Sequence, residues 1–357
     1  MATVPSLMPD TSPPTPVTQA IAVLARGESL SETLATQVFD VVMRGDATPA
    51  QMGAILLGLR AKGETAAEVA GVVRALRSSM VKVTAEGAHV VDTCGTGGGT
   101  VPTFNISTVA AFVAVGAGAT VAKHGNRSYT SQCGSADVLE ALGVRIPPGP
   151  DEAHRALARA RIAFLFAPHF HPAMRHLAPV RKDLGVTTVM NLVGPLANPA
   201  GVRRQVVGVA DASRAPLVAE ALALLGTEHA LVVHGRAGLD EISPDGVTDV
   251  WEIRGGTTSQ WVVDPTKLDL PRVDLAKLKG GSPADNARRA EQILDGSAPD
   301  EAGKAAVLLN AAAAVYVAGL ARDLADGLER ARAALESGAA RGALQKLRDG
   351  ERVSTSG

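Results

Sequence analysis

Asp92-Thr93-Cys94-Gly95-Thr96-Gly97-Gly98-Gly99-Thr100 is the stretch on which the reading of this chain turns. The residues before it, His89–Asp92, read as a short buried strand. After it, Asn105-Ile106-Ser107-Thr108 opens an Ala/Val-rich run to about Val115 that reads as a helix. A glycine-rich turn between a strand and a helix start lets the backbone approach an anion, and the unpaired N–H groups of the helix's first turn face it. Outward from there, the strand Thr120–Ala122 leads into a second polar turn, Lys123-His124-Gly125-Asn126-Arg127-Ser128, which supplies two cations beside the first loop. Two such turns at the ends of neighbouring strands make one anion site, the expected functional centre.

The same alternation runs on. Short β-branched runs at Ile162–Ala167, Val206–Ala210 and Ala230–His234 are separated by helical stretches at Ser135–Leu142, Asp151–Arg161 and Ser213–Leu225. Such a pattern implies a mostly parallel sheet flanked by helices, with ligands outside the carboxyl ends of the strands. From Asn286 the chain is Ala-rich and helical, including Lys304–Gly319 and a stretch from Leu320 to about Leu347. Upstream, only helices are read. Met52, Ile55, Leu56, Leu59 and then Val69, Val72, Val73, Leu76 each follow the i, i+3, i+4, i+7 stripe, and Leu34, Val38, Val41 and Val42 form a third. Thr48-Pro49 reads as an N-cap and first helical position, Gly63 as a stop, and Thr65 as the next start. The fold class is α/β with an all-helical N-terminal domain: a tail over 1–16, a helical domain over 17–84 and an α/β domain over 85–350.

With 357 residues, the chain is long enough for two cores, and 46% hydrophobic with 20% charged residues is ordinary for a globular protein. A net charge of −1 argues against broad binding to nucleic acid or an acidic membrane. The two cysteines, Cys94 and Cys133, offer neither a disulfide framework nor a zinc spacing, which fits a reducing, cytoplasmic setting. Residues 1–16 carry five prolines and no apolar core, and read as a disordered tail.

Several residues have two readings each. Asn105, Ser107 and Thr108 either donate to phosphate, with a serine oxygen able to bind Mg²⁺, or cap the helix. Asp240-Glu241, after the strand ending at His234, is either a Mg²⁺-binding carboxylate pair or a solvated turn. His169, His171 and His176 lack the spacing of a zinc set, so they either line a cleft wall or cap and pack. Arg181 either grips a carboxylate in two-point fashion or is a surface arginine.

Together these residues closely resemble the anthranilate phosphoribosyltransferase family. The resemblance rests on Gly95-Thr96-Gly97-Gly98, Phe104–Thr108, Ala122–Ser128, Gly134–Asp137, Pro179-Val180-Arg181, Asn191–Ala200 and Asp240-Glu241, with Gly280-Gly281, Asn286-Ala287 and Leu309–Ala312 nearer the end. It spans about residues 17–347. It implies a nucleoside phosphorylase/phosphoribosyltransferase-like fold whose helical domain is completed by helices from about 171–200, and a homodimer formed through that domain. The implied substrates are phosphoribosyl pyrophosphate (PRPP) and anthranilate, with Mg²⁺. By position, Gly95, Gly98, Gly99, Thr103, Asn105, Ile106, Ser107, Thr108, Lys123, His124, Gly125, Asn126, Arg127, Ser128, Ser131 and Ser135 would surround PRPP. Ser107, Asp240 and Glu241 would hold the metal, and Gly95, Asn126, Arg181 and His124 would meet anthranilate. The chain departs from the family pattern at Gly99-Thr100, where Asp-Gly is usual, which removes a carboxylate near the pyrophosphate. Tyr129 and Thr130 also replace smaller residues.

The implied chemistry is attack of the anthranilate amine on the ribose C1 as pyrophosphate leaves, through an oxocarbenium-like transition state without a side-chain nucleophile. Two other classes compete. A nucleoside phosphorylase would have no use for the Asp240-Glu241 pair. A non-catalytic relative binding phosphates or nucleic acid through Lys123–Arg127 would not need Asn126 and Arg181.

Overall fold

Four helices open the chain: α1 (Pro16–Ala25), α2 (Glu32–Arg44), α3 (Pro49–Lys62) and α4 (Ala66–Ser79). The computed structural model describes residues 14–87, 89–128, 132–297 and 299–349. Most of the expected tail, and Tyr129, Thr130 and Ser131, lie outside the described residues. Each helix starts on a hydroxyl: Thr15, Ser31, Thr48 and Thr65 accept from backbone N–H groups of the first turn, and Gln51 and Glu68 close capping boxes on the last two. Glu68 is buried, yet its carboxylate accepts from the N–H groups of Leu30 and Thr65 and from Lys62 Nζ, so its charge is fully answered.

The stripes of these helices close on one another and on a later segment. The short helices Ala178–Leu184 and Met190–Val193, with the turn Pro172–His176 before them, place Leu177, Val180, Met190 and Leu196 in the same core as Val38, Leu56 and Val72. The stripe on α2 is rotated slightly from its expected position. Phe39 and Met43 are buried there, whereas Leu34 and Val41 are only partly so.

The sheet has seven strands: β1 (Val90–Thr93), β2 (Thr120–Gly125), β3 (Ile162–Phe166), β4 (Arg204–Gly208), β5 (His229–Gly235), β6 (Thr248–Arg254) and β7 (Thr257–Val263). Their order is β3-β2-β1-β4-β5-β6-β7, parallel from β3 to β5. The chain winds outward from β1 through β2 to β3, then returns to β4 on the other side. The crevice between β1 and β4 is therefore the topological switch point, where ligands of open α/β sheets bind. Helix α5 (Ile106–Gly116) and the buried helix Glu301–Val317 pack together beside the sheet. Helices α6 (Ser135–Ala141) and α7 (Pro150–Ala160) follow β2. No helix among the described residues is long and apolar enough to cross a membrane.

Three features differ from the sequence reading. Strand β2 extends to Gly125, because pairing with β3 continues to Gly125 opposite Phe166; Lys123, His124 and Gly125 thus lie on a strand rather than in a turn. The antiparallel hairpin β6–β7 was not expected. Its outer strand is mostly exposed, with apolar residues only at its end, Trp261–Val263, and its turn is Gly255-Gly256, both at positive φ. The helical stretch expected from Leu320 to about Leu347 is two helices, Leu324–Glu336 and Ala339–Asp349, broken at Gly338 with φ 76°.

Candidate functional site

The glycine-rich loop leaves β1 still paired to β4. Cys94 N donates to Val206 O and Thr96 N to Gly208 O, at 3.2 and 2.8 Å. The chain then turns through Gly97 and Gly98, at φ 67° and 80°, a region open to glycine at no steric cost. Beyond it, Thr103 bridges to Lys279, and Asn105 ties three segments together. Its Nδ2 donates to Cys133 O at 3.1 Å and its Oδ1 accepts from Asn286 Nδ2 at 3.0 Å. Asn286 is itself fixed by accepting from Gly281 N. Consequently Asn105, the N-cap residue, makes no side-chain cap bond to α5. The capping alternative for Asn105, Ser107 and Thr108 is not realised, and Thr108 Oγ1 is buried without a hydrogen-bond partner among them.

What meets the start of α5 is the loop after β5. Glu241 Oε1 accepts from Ser107 N, and Asp240 Oδ2 accepts from Gly97 N, both at 3.1 Å. The pair is not a solvated turn, since both carboxylates are tied to backbone N–H groups of the glycine loop and of α5. Loss of water, followed by repulsion from Asp240, pushes the Glu241 carboxyl up to about 8. Burial likewise raises Asp240. Lys123 reaches in from β2, donating to Thr93 O and, at 3.2 Å, to Ser107 Oγ. Thr93, Ser107, Asp240 and Glu241 border a cavity of about 10 Å³, room for one water-sized species. Two carboxylates short of countercharge beside a serine hydroxyl are hard oxygen donors of the kind Mg²⁺ takes, so the donor set fits that ion.

Gly99 lies in the same cluster. A Cβ there would stand 3.2 Å from Gly238 O and 3.3 Å from Asp240 Oδ1. An aspartate at this place would therefore start its side chain beside the pair.

The second expected cation is directed elsewhere. Arg127 Nη1 donates to Asp137 and Glu140, each at 2.7 Å, and its guanidinium lies 5.6 Å over the Phe166 ring. Two carboxylates on α6 answer its charge, so of the two cations it is Lys123 that the segment brings to the first loop. Asp137 also accepts from Gly134 N, and Ser135 Oγ donates to Asn126 O. Arg127 thus anchors the segment that carries Asn126, Ser128 and Ser135. At Gly125 a Cβ would meet Ser135 Oγ at 2.5 Å.

His124 is buried at the border between the sheet and the helical core. Its N–H donates to Asp92 Oδ1, and Nδ1 lies 3.1 Å from Gly194 O, a group that can only accept, so the proton sits on Nδ1. Nε2 has no hydrogen-bond partner among the described residues, and the ring stands 5.0 Å from that of His171. Burial, then His171, pushes His124 down to about 3; burial takes His171 to about 4. Both are neutral at pH 7. His169 bonds Pro147 O, and the His176 ring packs where a side chain at Gly45 would otherwise be. These two cap and pack, while the buried His171 ring packs against that of His124. Arg181 is half-buried on the helix Ala178–Leu184.

Three supporting residues are given no site role by the sequence reading. Asp92, buried and raised to about 6 chiefly by burial, is held by Asn198 Nδ2 at 2.8 Å; Asn198 also bonds Ala122 O. Asn286 and Asn310 are the others. For Asn310 the available signal was a lone amide inside an aliphatic and alanine-rich run.

Comparison with known proteins follows this geometry. The family model described as the helical bundle domain of the glycosyl transferase family matches residues 18–80, and that of its a/b domain matches 87–341. An anthranilate phosphoribosyltransferase from Anaeromyxobacter sp. (strain K) is 49% identical over 93% of this chain and 97% of its own. The crystal structure of the Thermus thermophilus anthranilate phosphoribosyltransferase is similar, with a TM-score of 0.87 at 40% identity over 92% of this chain and 98% of that one. The Saccharomyces cerevisiae enzyme in complex with PRPP and Mg gives 0.85 at 28% identity, covering 93% and 97%. The same enzyme with 4-fluoroanthranilate gives 0.83 at 27%, with the same coverage.

Proposed function

The chain belongs to the anthranilate phosphoribosyltransferase family, and from that premise we propose how its own residues carry the reaction. It transfers the phosphoribosyl group of PRPP to the amine of anthranilate, releasing pyrophosphate, in tryptophan biosynthesis. The observation that carries the site assignment is the convergence of Ser107, Lys123, Asp240 and Glu241 at the crevice between β1 and β4. We place the phosphates of PRPP on the Gly95–Gly99 backbone and the first turn of α5, Asn105–Thr108, with Lys123 as countercharge and Thr103, His124–Asn126, Ser128 and Ser135 around them, Arg127 anchoring their segment. Ser107, Asp240 and Glu241 would hold Mg²⁺, which when bound neutralises charge on the leaving pyrophosphate.

Anthranilate is assigned to Gly95, Asn126, His124 and Arg181, with Arg181 gripping the carboxylate. His124 Nε2, bearing a lone pair, suits an amine N–H and so orients the nucleophile. An imidazole held down to about 3 is a poor base, so the amine proton, acidic only once the C–N bond forms, passes to pyrophosphate or water. No side-chain nucleophile is needed; alignment and charge stabilisation do the chemistry.

The test is loss of anthranilate fluorescence with stoichiometric pyrophosphate release, run with Mg²⁺ and with EDTA, on the wild type and on Asp240→Asn with Glu241→Gln. Metal-independent turnover, or a double variant as active as wild type, would overturn the metal assignment. Arg181→Ala with unchanged affinity for anthranilate would overturn the pocket. We further propose a cytoplasmic homodimer joined through the helical domain, a reading supported by Leu57, which leaves 49% of its surface exposed on α3. A monomer by light scattering would remove it. The units 17–84 and 85–350 are proposed as its two domains.

A further inference from the structure

Asparagine is a poor residue for a helix interior, and a buried amide must find partners. The helix Glu301–Val317 nevertheless carries Asn310, 3% exposed, within an aliphatic and alanine-rich run. Nδ2 donates to Ala306 O at 2.9 Å, one turn back, and to Ile242 O at 3.0 Å. Oδ1 accepts from Ile242 N at 3.0 Å. The amide thus takes both backbone groups of Ile242, as a neighbouring strand residue would, and Ile242 directly follows Asp240 and Glu241. Asn310 also borders the cavity shared by Ser107 and the two carboxylates.

The loop is seated from the sheet side as well. A Cβ at Gly208 would lie 1.7 Å from Asp240 O, and one at Gly235 would lie 3.1 Å from Glu241 O. Backbone contact at both glycines holds the loop down, and Asn310 pins its far end. Without that pin, two adjacent carboxylates that repel each other can relax by moving the loop. We propose that Asn310 is a positioning residue for the Asp240–Glu241 pair: its amide fixes the backbone from which both carboxylates reach Gly97 and Ser107, and so sets the geometry offered to a divalent cation. The inference rests on the reading of that pair as the metal ligands.

The test is direct cation binding rather than turnover. Mn²⁺ is titrated into the metal-free protein at fixed inorganic pyrophosphate, with free Mn²⁺ read by electron paramagnetic resonance. Asn310→Ala should weaken Mn²⁺ binding about tenfold, the lower end of what loss of a supporting contact to a metal ligand costs, and leave the KM for anthranilate unchanged. Asn310→Asp, close in size but with an oxygen facing Ile242 O, should weaken it similarly, and carries the test if the alanine variant does not fold. Leu309→Ala, which opens a cavity in the same helix, should lower Tm and keep wild-type Mn²⁺ affinity. Equal losses in Asn310→Ala and Leu309→Ala, or Asn310 variants within about twofold of wild type while Asp240→Asn with Glu241→Gln fails to bind, would overturn the positioning role. Wild-type Mn²⁺ binding by that double variant would instead overturn the metal-site reading.

Discussion

Lys123 is the cation that β2 brings to the first loop, and its surroundings state what it is for. Buried and bonded to Thr93 and Ser107, it offsets the charge of Asp92 and Glu241 across the crevice. A hydrogen bond to a charged group contributes about 1.5–3 kcal/mol. Lys123→Met should therefore lower kcat/KM for PRPP by about tenfold to a hundredfold, and should push the Asp92 and Glu241 carboxyls higher still. A steady-state titration of PRPP at saturating anthranilate checks this; an unchanged kcat/KM would take Lys123 out of the phosphate site. Gly99 gives the converse experiment. Its missing side chain would begin 3.3 Å from Asp240 Oδ1, so Gly99→Asp adds a third carboxylate to a pair already starved of countercharge. The variant should have a lower Tm than wild type in EDTA and recover more of it on adding Mg²⁺, as read by calorimetry. Equal Mg²⁺-induced shifts in the two proteins would show that position 99 does not face the cation. At this scale the sequence was most legible where a residue's chemistry is rare in its setting: glycines in a row, a lysine after a strand, adjacent carboxylates. It misled at Arg127, because its partners, Asp137 and Glu140, lie 10 and 13 residues further on. Nothing in the local pattern says which of two anions, substrate or carboxylate, an arginine will meet.

Among the elements, β2 and the segment 171–200 meet at two neutral imidazoles. A buried histidine that stays neutral binds its proton less tightly folded than unfolded. Its contribution to stability is full above the ordinary value of 6.5 and is lost as pH falls toward the folded value, about 4 for His171. Between pH 7.5 and 5 that loss is about 2 kcal/mol for one such group. Asp92 works in the opposite sense: its raised pKa gives stability that is present below about 4 and disappears as pH rises through about 6. The contributions overlap, so a single pH profile would not separate them, and a variant does. His171→Leu should be nearer to wild-type stability, or above it, at pH 5 than at pH 7.5, the gap closing by about 2 kcal/mol in urea denaturation. A constant gap across that range would mean that His171 takes up a proton in the folded chain as easily as in the unfolded one. The elements themselves were largely readable, because periodicity and caps are local: Thr48-Pro49, Gly63 and Thr65 bound α3 and α4 where expected. The end of β2 and the hairpin β6–β7 were not, since strand length is set by the partner strand. An exposed edge such as Thr257–Val263 carries little hydrophobic signal of its own.

For the molecule as a whole, the helical core and the sheet are joined by arginines whose partners lie far along the chain. Arg77 on α4 donates to Leu196 O within the helical core, and Arg74 crosses to Leu224 O at the end of the helix Ala215–Leu224. A second link across the junction is ionic. Arg214, just before that helix, places Nη1 2.6 Å from Glu64 Oε2, in the connection between α3 and α4; the Glu64 side chain is fully buried and that of Arg214 is 16% exposed. The approach is off the hydrogen-bonding direction, leaving both Glu64 oxygens without a hydrogen bond among the described residues, so charge alone answers the carboxylate. A pair of this kind adds little over an apolar contact, but breaking it from one side strands a buried charge at a cost of about 3–5 kcal/mol. Arg214→Ala should therefore destabilise the protein by about that amount in urea denaturation, and Glu64→Gln with Arg214→Ala should recover most of the loss by removing the stranded carboxylate. The proposed site draws Arg181 from the helical side, and Lys123 and the carboxylate pair from the sheet side. Loosening the junction should then raise the KM for anthranilate before it changes that for PRPP, whose proposed contacts all lie within the α/β half. If Arg214→Ala raised both constants together, or the double variant were no more stable than the single, the two halves would be held by their apolar contact and the ion pair would be incidental to it.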